Sequence, residues 1–143
     1  MVLVGYGFVG ERIAHALNEQ EIPYIVAEQN RELVQDLRKQ GKNAVSGDAT
    51  EPSVLIQAHI TDAAMLVIAT ADPLNVRQMI DTARTLNPDI EIVLRTRSED
   101  ETKLLRKDQI GTVFFGEEEL AKSMTHHILQ RFDTKQASAD GTS

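Results

Sequence analysis

Six residues near the start of the chain, Gly5-Tyr6-Gly7-Phe8-Val9-Gly10, have the G-x-G-x-x-G spacing that lets backbone amides surround a phosphate. The first glycine of such a run permits the tight turn from strand to helix. The second lets backbone approach a pyrophosphate, and the third lets the helix lie close to the sheet. A carboxylate about 20 residues further on is placed to accept hydrogen bonds from ribose hydroxyls. Glu28, with Gln29 beside it, ends the second apolar segment and fills that place. Its other role would be that of a strand-end carboxylate capping the next helix. As a ribose partner it favours an unmodified sugar over a 2'-phosphate, so NAD-like or adenosine ligands are expected before NADP. Arg31 tempers this, because a nearby arginine can accommodate extra phosphate.

In an open parallel sheet a ligand lies across the carboxyl ends of the strands, which gives further candidates. Ser46-Gly47-Asp48-Ala49-Thr50 follows the third apolar run, and Asp48 can either cap the next helix or reach an adenine edge. Thr70-Ala71-Asp72 follows the fourth, with Asp72-Pro73 also reading as a helix start. Arg95 and Arg97 follow the fifth, and Arg95 can pair with a phosphate or with Glu28. Gly116-Glu117-Glu118-Glu119 closes the sixth. Its carboxylates suit the positive end of a helix dipole, and a divalent-cation site is the alternative.

Catalytic groups are missing from this inventory. His126 and His127 are adjacent and point in different directions, so they cannot chelate as an i, i+4 pair. The only tyrosines, Tyr6 and Tyr24, belong to no Tyr-x-x-x-Lys pair. A hydride-transfer enzyme also needs a region that holds substrate over the nicotinamide, and only one helix and a polar tail follow the sixth strand. Binding without turnover is the expectation, with a small NAD-dependent oxidoreductase, or the cofactor-binding fragment of one, as the alternative. An empty nucleotide fold used only for assembly is a third.

The elements that must position these residues alternate strand and helix. Strands are expected at Met1–Val4, Tyr24–Ala27, Ala44–Val45, Met65–Ala69, Ile90–Leu94 and Thr112–Phe115. Helical spacing is carried by Val9, Ile13, Ala16 and Leu17, by Leu33, Val34 and Leu37 up to Gly41, and by Val54, Leu55 and Ala58 after Pro52. Further helices are expected from about Leu74 to Leu86, stopped by Asn87-Pro88-Asp89, and from Glu99 to Lys107. A last helix, about Glu117 to Phe132, carries the stripe Leu120, Met124, Ile128 and Phe132. Near-continuous apolar strands separated by helices predict an α/β fold, a doubly wound six-stranded parallel sheet covered on both faces. Residues 1–132 form one nucleotide-binding domain, and residues 133–143, polar and small, are expected to be a disordered tail.

The bulk numbers fit one domain. The chain has 143 residues, 41% of them hydrophobic and 26% charged, no cysteine, and a formal net charge of -7. That charge repels nucleic-acid phosphates, so no nucleic-acid partner is expected. The lack of cysteine excludes thiolate metal sites and a cysteine nucleophile. Because Met1 lies inside the first expected strand, the chain reads as a domain cut from a longer protein, the alternative being a stand-alone subunit with a very short start.

Gly-Tyr-Gly-x-Val-Gly, the carboxylate after strand two, Leu37-Arg38-Lys39-Gln40-Gly41, Gly47-Asp48-Ala49-Thr50 and Leu55-Ile56-Gln57-Ala58 together resemble the N-terminal lobe of RCK domains. These are also called KTN or TrkA-N domains, and they regulate potassium channels and transporters. Arg84, Asn87-Pro88 and Arg95-Thr96-Arg97 fit as well, and the version here is most similar to the cytosolic domain of Kef-type cation:proton antiporters. The resemblance implies a sensor of NAD(H) or an adenine nucleotide such as AMP. Gly5, Tyr6, Gly7, Phe8, Val9 and Gly10 would meet the phosphates, Glu28 with Gln29 the ribose, and Asp48 and Ala49 the adenine. Thr70 and Arg95 would line the rest. It also implies a homodimer, with the last helix crossing or hinging between lobes. An attached membrane transport domain would hold it at the cytoplasmic face of the inner membrane. Glu28 stands where that family often has aspartate.

Overall fold

The short apolar runs become strands because each is flanked by turn-forming residues and is too brief for a helix that buries one face. The computed structural model describes residues 1–70 and 75–141. Its strands are β1 (Val2–Val4), β2 (Ile25–Glu28), β3 (Ala44–Ser46), β4 (Met65–Ile68), β5 (Glu91–Thr96) and β6 (Thr112–Phe115). Its helices are α1 (Phe8–Glu19), α2 (Arg31–Lys39), α3 (Pro52–Gln57), α4 (Val76–Leu86), α5 (Glu99–Lys107) and α6 (Gly116–Gly141). A 3-10 turn at Ile60–Asp62, which the residue pattern does not announce, joins α3 to β4. All pairings are parallel, in the order β3-β2-β1-β4-β5-β6. This is the expected doubly wound α/β sheet, and the winding reverses between β1 and β4.

Side chains alternate across each strand, so β1 serves two cores. Val2 and Val4 join Leu66, Ile68, Ile92 and Leu94 against α3, α4 and α5. Leu3 joins Val26 and Val67 on the other face, against Ala14 of α1 and Val34 and Leu37 of α2. A side chain as completely buried as Leu3 stabilises the fold by roughly 1.5–3 kcal/mol. That double burial is why β1 reads as an unbroken apolar run.

Local chemistry sets the helix limits. Asn30 caps α2 by accepting from the Glu32 and Leu33 amides, at 3.0 and 3.2 Å, an arrangement worth about 1 kcal/mol. At its other end the Lys42 amide donates to the Leu37 carbonyl and that of Gly41 to Arg38, which closes the helix with Gly41 at φ +79. Glu21, His59 and Gln109 take the same left-handed conformation after α1, α3 and α5 without being glycine. Asn87, expected to break α4, also acts as a clamp: its side-chain amide donates to the Ile60 and Ala63 carbonyls at 3.0 and 2.7 Å.

Two expectations change. β5 continues to Thr96 instead of stopping at Leu94, because β6 pairs alongside it and matches Arg95 with Phe114 and Thr96 with Phe115. Arg95 is therefore a strand residue. The last helix runs through Gly141, past Asp133 where a disordered tail is expected. No proline interrupts that stretch and its alanines, lysine and glutamine favour helix. The Leu120, Met124, Ile128 and Phe132 stripe is exposed and does not pack into this chain's core. The root of α6 is held by charge. Glu118 accepts from Arg106 at 2.8 Å and faces Lys122 at 3.7 Å, and the Arg106 bond holds its carboxyl below the usual carboxylate range.

Among the described residues one buried side-chain group is unmatched: the Tyr24 hydroxyl is shut off from solvent and has no hydrogen-bond partner. An unmet buried donor costs about 1–3 kcal/mol, whereas removing it leaves an apolar ring of nearly the same shape. Tyr24→Phe is therefore expected to keep or raise the melting temperature in scanning calorimetry. A fall of several degrees would mean that the hydroxyl is satisfied in solution.

Candidate functional site

The turn after β1 is tied to both neighbouring strands. The Gly5 amide donates to the Ala27 carbonyl at 3.0 Å, and the Ala69 amide donates to Val4 at 2.9 Å. Gly5 has φ +92, and a Cβ placed on it would stand 2.9 Å from the Thr70 backbone nitrogen. Only glycine meets both conditions. At Gly10 the limit is space alone: a Cβ would come within 2.1 Å of the Gly5 carbonyl oxygen. The first turn of α1 is thus pressed onto the end of β1. At Gly7 a Cβ would meet nothing within 4 Å. The middle glycine is not required by packing, and a side chain there would enter open space.

Glu28 ends β2 half-buried beside this turn. Its Oε2 accepts from the Tyr6 amide at 2.9 Å, and Oε1 lies 3.4 Å from the Asn30 amide. A bond to a charged acceptor of this kind contributes about 1.5–3 kcal/mol. The helix cap is Asn30, so Glu28 faces the glycine turn and does not cap α2 with its carboxylate. Asn30, an Asn before Arg-Glu-Leu, was a legible capping signal that the residue inventory passes over. Gln29 is exposed next to Glu28.

The other candidates fall into two groups. Thr70 is brought against Gly5 at the point where the winding reverses. Arg95 projects from β5 on the side of β4, with a terminal nitrogen 3.5 Å from the Ala69 carbonyl. It makes no pair with Glu28. Asp48 is half-buried and folds its own turn, accepting from the Thr50 amide at 2.9 Å. It does not cap α3, whose first residue is Pro52. Ala49 as a whole residue is 4% exposed and belongs to the α3-side core, so little of it is open to a ligand. The Asp72-Pro73 helix start lies outside the described residues.

Phe8 and Val9 open α1. Phe8 is 69% exposed, and the Arg12 guanidinium stacks over its ring at 3.3 Å from the centroid. Residue types alone do not reveal that Arg12 pairing, although the i, i+4 spacing allows it. At the far edge, Glu118 and Glu119 are engaged by Arg106 and Lys122. Among the described residues no group of three or more His, Asp or Glu side chains is gathered to hold a metal ion.

This geometry can do one thing well. The amides of a glycine turn at a helix N-terminus receive an oxyanion, and a fixed carboxylate beside them receives two vicinal hydroxyls. Comparison with known proteins agrees with that outline. A family model described as the TrkA-N domain matches residues 1–115. The putative cation/proton antiporter YbaL of Escherichia coli is 34% identical over 86% of the chain, and a putative K(+) efflux antiporter KefB of Alkalimonas amylolytica is 30% identical over 90%. The chain spans only 22% and 20% of the lengths of those two relatives.

Among solved structures, the TrkA-N domain of YbaL superposes with a TM-score of 0.82 at 34% identity, covering 87% of this chain and 93% of that one. Two more distant structures share the fold. The Kef C-terminal domain of Shewanella denitrificans in AMP-bound form has a TM-score of 0.70 at 20% identity, covering 92% of this chain and 79% of that one. The GsuK channel bound to NAD has 0.66 at 21%, covering 78% of this chain and 20% of that one.

The contrast between two glycines makes the site testable. Gly10→Ala is expected to lower stability by about 1–3 kcal/mol, because the turn must shift to admit a methyl group. Gly7→Ala is expected to melt close to the parent chain, since its methyl group enters open space. Thermal melts of both variants check this ordering, and a reversal would mean that the turn is built differently.

Proposed function

The chain belongs to the TrkA-N domain family, and from that premise we propose that it is the nucleotide-sensing regulatory domain of a cation:proton antiporter. The observation that carries the reading is the Glu28 carboxylate fixed on the Tyr6 amide beside an unobstructed Gly7. In this reading Gly5, Tyr6, Gly7, Phe8, Val9 and Gly10 surround the phosphates, and Glu28, flanked by Gln29, receives the ribose. Asp48, with the buried Ala49 beside it, faces the adenine, and Thr70 and Arg95 close the far side. The ligand is NAD(H) or AMP, as in the two more distant structures. A fixed carboxylate at this place disfavours a 2'-phosphate, so NAD(H) or AMP is preferred over NADP.

The domain binds without turnover. What supports this is that no histidine stands among the described residues gathered at the turn, and that Glu28 is committed to backbone amides. Among the described residues no helix is long and apolar enough to cross a membrane. In this reading, supported by the antiporter relatives, the transport step belongs to an attached membrane domain, with this domain at its cytoplasmic face. A second copy of the chain covers the exposed side of β5–β6 and the apolar stripe of α6. Phe114, Leu120, Met124 and Phe132 are large apolar side chains left open to solvent here. Ligand binding shifts the geometry of that dimer, and coupling of about 1–3 kcal/mol between the two is the usual scale of such control.

Calorimetric titration of the chain with NAD, NADH, AMP and ATP tests the ligand. Saturable binding tighter than millimolar is expected for at least one, lost in Gly7→Ala while that variant stays folded. If none binds, the sensor reading fails. Sedimentation velocity tests the assembly: the parent chain is expected to be a dimer and Met124→Glu a monomer. A parent chain that stays monomeric at high concentration removes the dimer from the reading.

A further inference from the structure

The end of the sheet opposite the glycine turn carries a second polar concavity. A cavity of about 300 Å³ opens at the amino ends of β2 and β3, lined by Arg38, Lys42, Asn43, Gln57 and His59 over an Ile25 and Ala44 floor. An adjoining cavity of about 220 Å³ shares Ile25, Asn43 and His59 and extends to Tyr24 and Asp62. Three side chains able to carry positive charge, with two amides, gather here in a chain whose net charge is -7.

Part of this gathering serves the fold. Arg38 and Lys39 lie in the last turn of α2, where cations offset the helix's carbonyl end, and Arg38 Nε donates to the Ala44 carbonyl at 2.9 Å. Lys42 and His59 have no such task. Lys42 is half-buried, and its ammonium has no carboxylate partner among the described residues. His59 holds a left-handed conformation at φ 60, where glycine is less strained. The carbonyl ends of α2 and α3 disfavour an anion at this end of the sheet, and the cations offset that field. Asp62 lies only in the adjoining cavity, so the Lys42 side is the electropositive one.

We propose that this cavity is a second anion site, in which Lys42, His59 and Arg38 hold a phosphate group at the end of the sheet remote from the glycine turn. The phosphate belongs to a free phosphorylated molecule or to a phospholipid headgroup; the two share the same chemistry. The site is independent of the nucleotide reading.

Titration of the isotopically labelled chain with inorganic phosphate, followed by amide NMR, reads the two ends separately. Saturable millimolar shifts are expected at Lys42, Asn43 and His59, weakened about fivefold or more in Lys42→Gln by loss of a charge-assisted contact. His59→Gly is expected to raise the melting temperature while weakening phosphate. Gln109→Gly, at the matching position after α5, is expected to raise it with no effect on phosphate. Co-sedimentation with phosphatidylglycerol vesicles, against phosphatidylcholine vesicles, separates the sources. Pelleting that Lys42→Gln abolishes assigns the headgroup, and phosphate shifts without pelleting assign a free ligand. Shifts confined to the Gly5–Gly10 turn, or shifts at Lys42 and His59 that both variants leave unchanged, overturn the proposal.

Discussion

The fold depends on a tight approach between the first turn of α1 and the end of β1, where the Gly5 carbonyl occupies the volume a side chain on residue 10 would need. Most of the upper end of the fold follows from it. With α1 pressed down there, its amide end opens toward the gap between β1 and β4. With Gly5 in turn against the Thr70 backbone, the two halves of the sheet meet without a side chain between them. Glu28 can then reach the Tyr6 amide from the next strand. Steric exclusion, more than attraction, makes the cleft.

The same constraint explains why so much was legible in the sequence. Glycines with fixed spacing leave a visible mark, and so do double-sided apolar strands such as Met65–Ile68 between helices of a single apolar stripe. Element order and sheet class followed from those marks. The extent of β5 did not, because Arg95 and Thr96 are strand residues only by virtue of β6 alongside them. A neighbour distant in sequence decides their state, and local pattern carries no record of it. The roles at Asp48 and Ala49 were equally hidden: one binds its own turn and the other fills the core, and neither outcome is written in residue type.

The stripe on α6 shows the opposite failure. Its four-residue spacing was plain, and spacing marks an apolar face without saying whose core receives it. Leu120 and Met124 face solvent, so an apolar period along a helix does not by itself mean packing in the chain's own core.

The length of α6 has a mechanical consequence. At 1.5 Å per residue its 26 residues extend about 39 Å from a root held by the Arg106–Glu118 contact. A tilt of about 5° at Gly116, too small to disturb the sheet, would carry the far end through roughly 3 Å. The helix is long beside its root, so a small change of angle there becomes a large displacement at its far end.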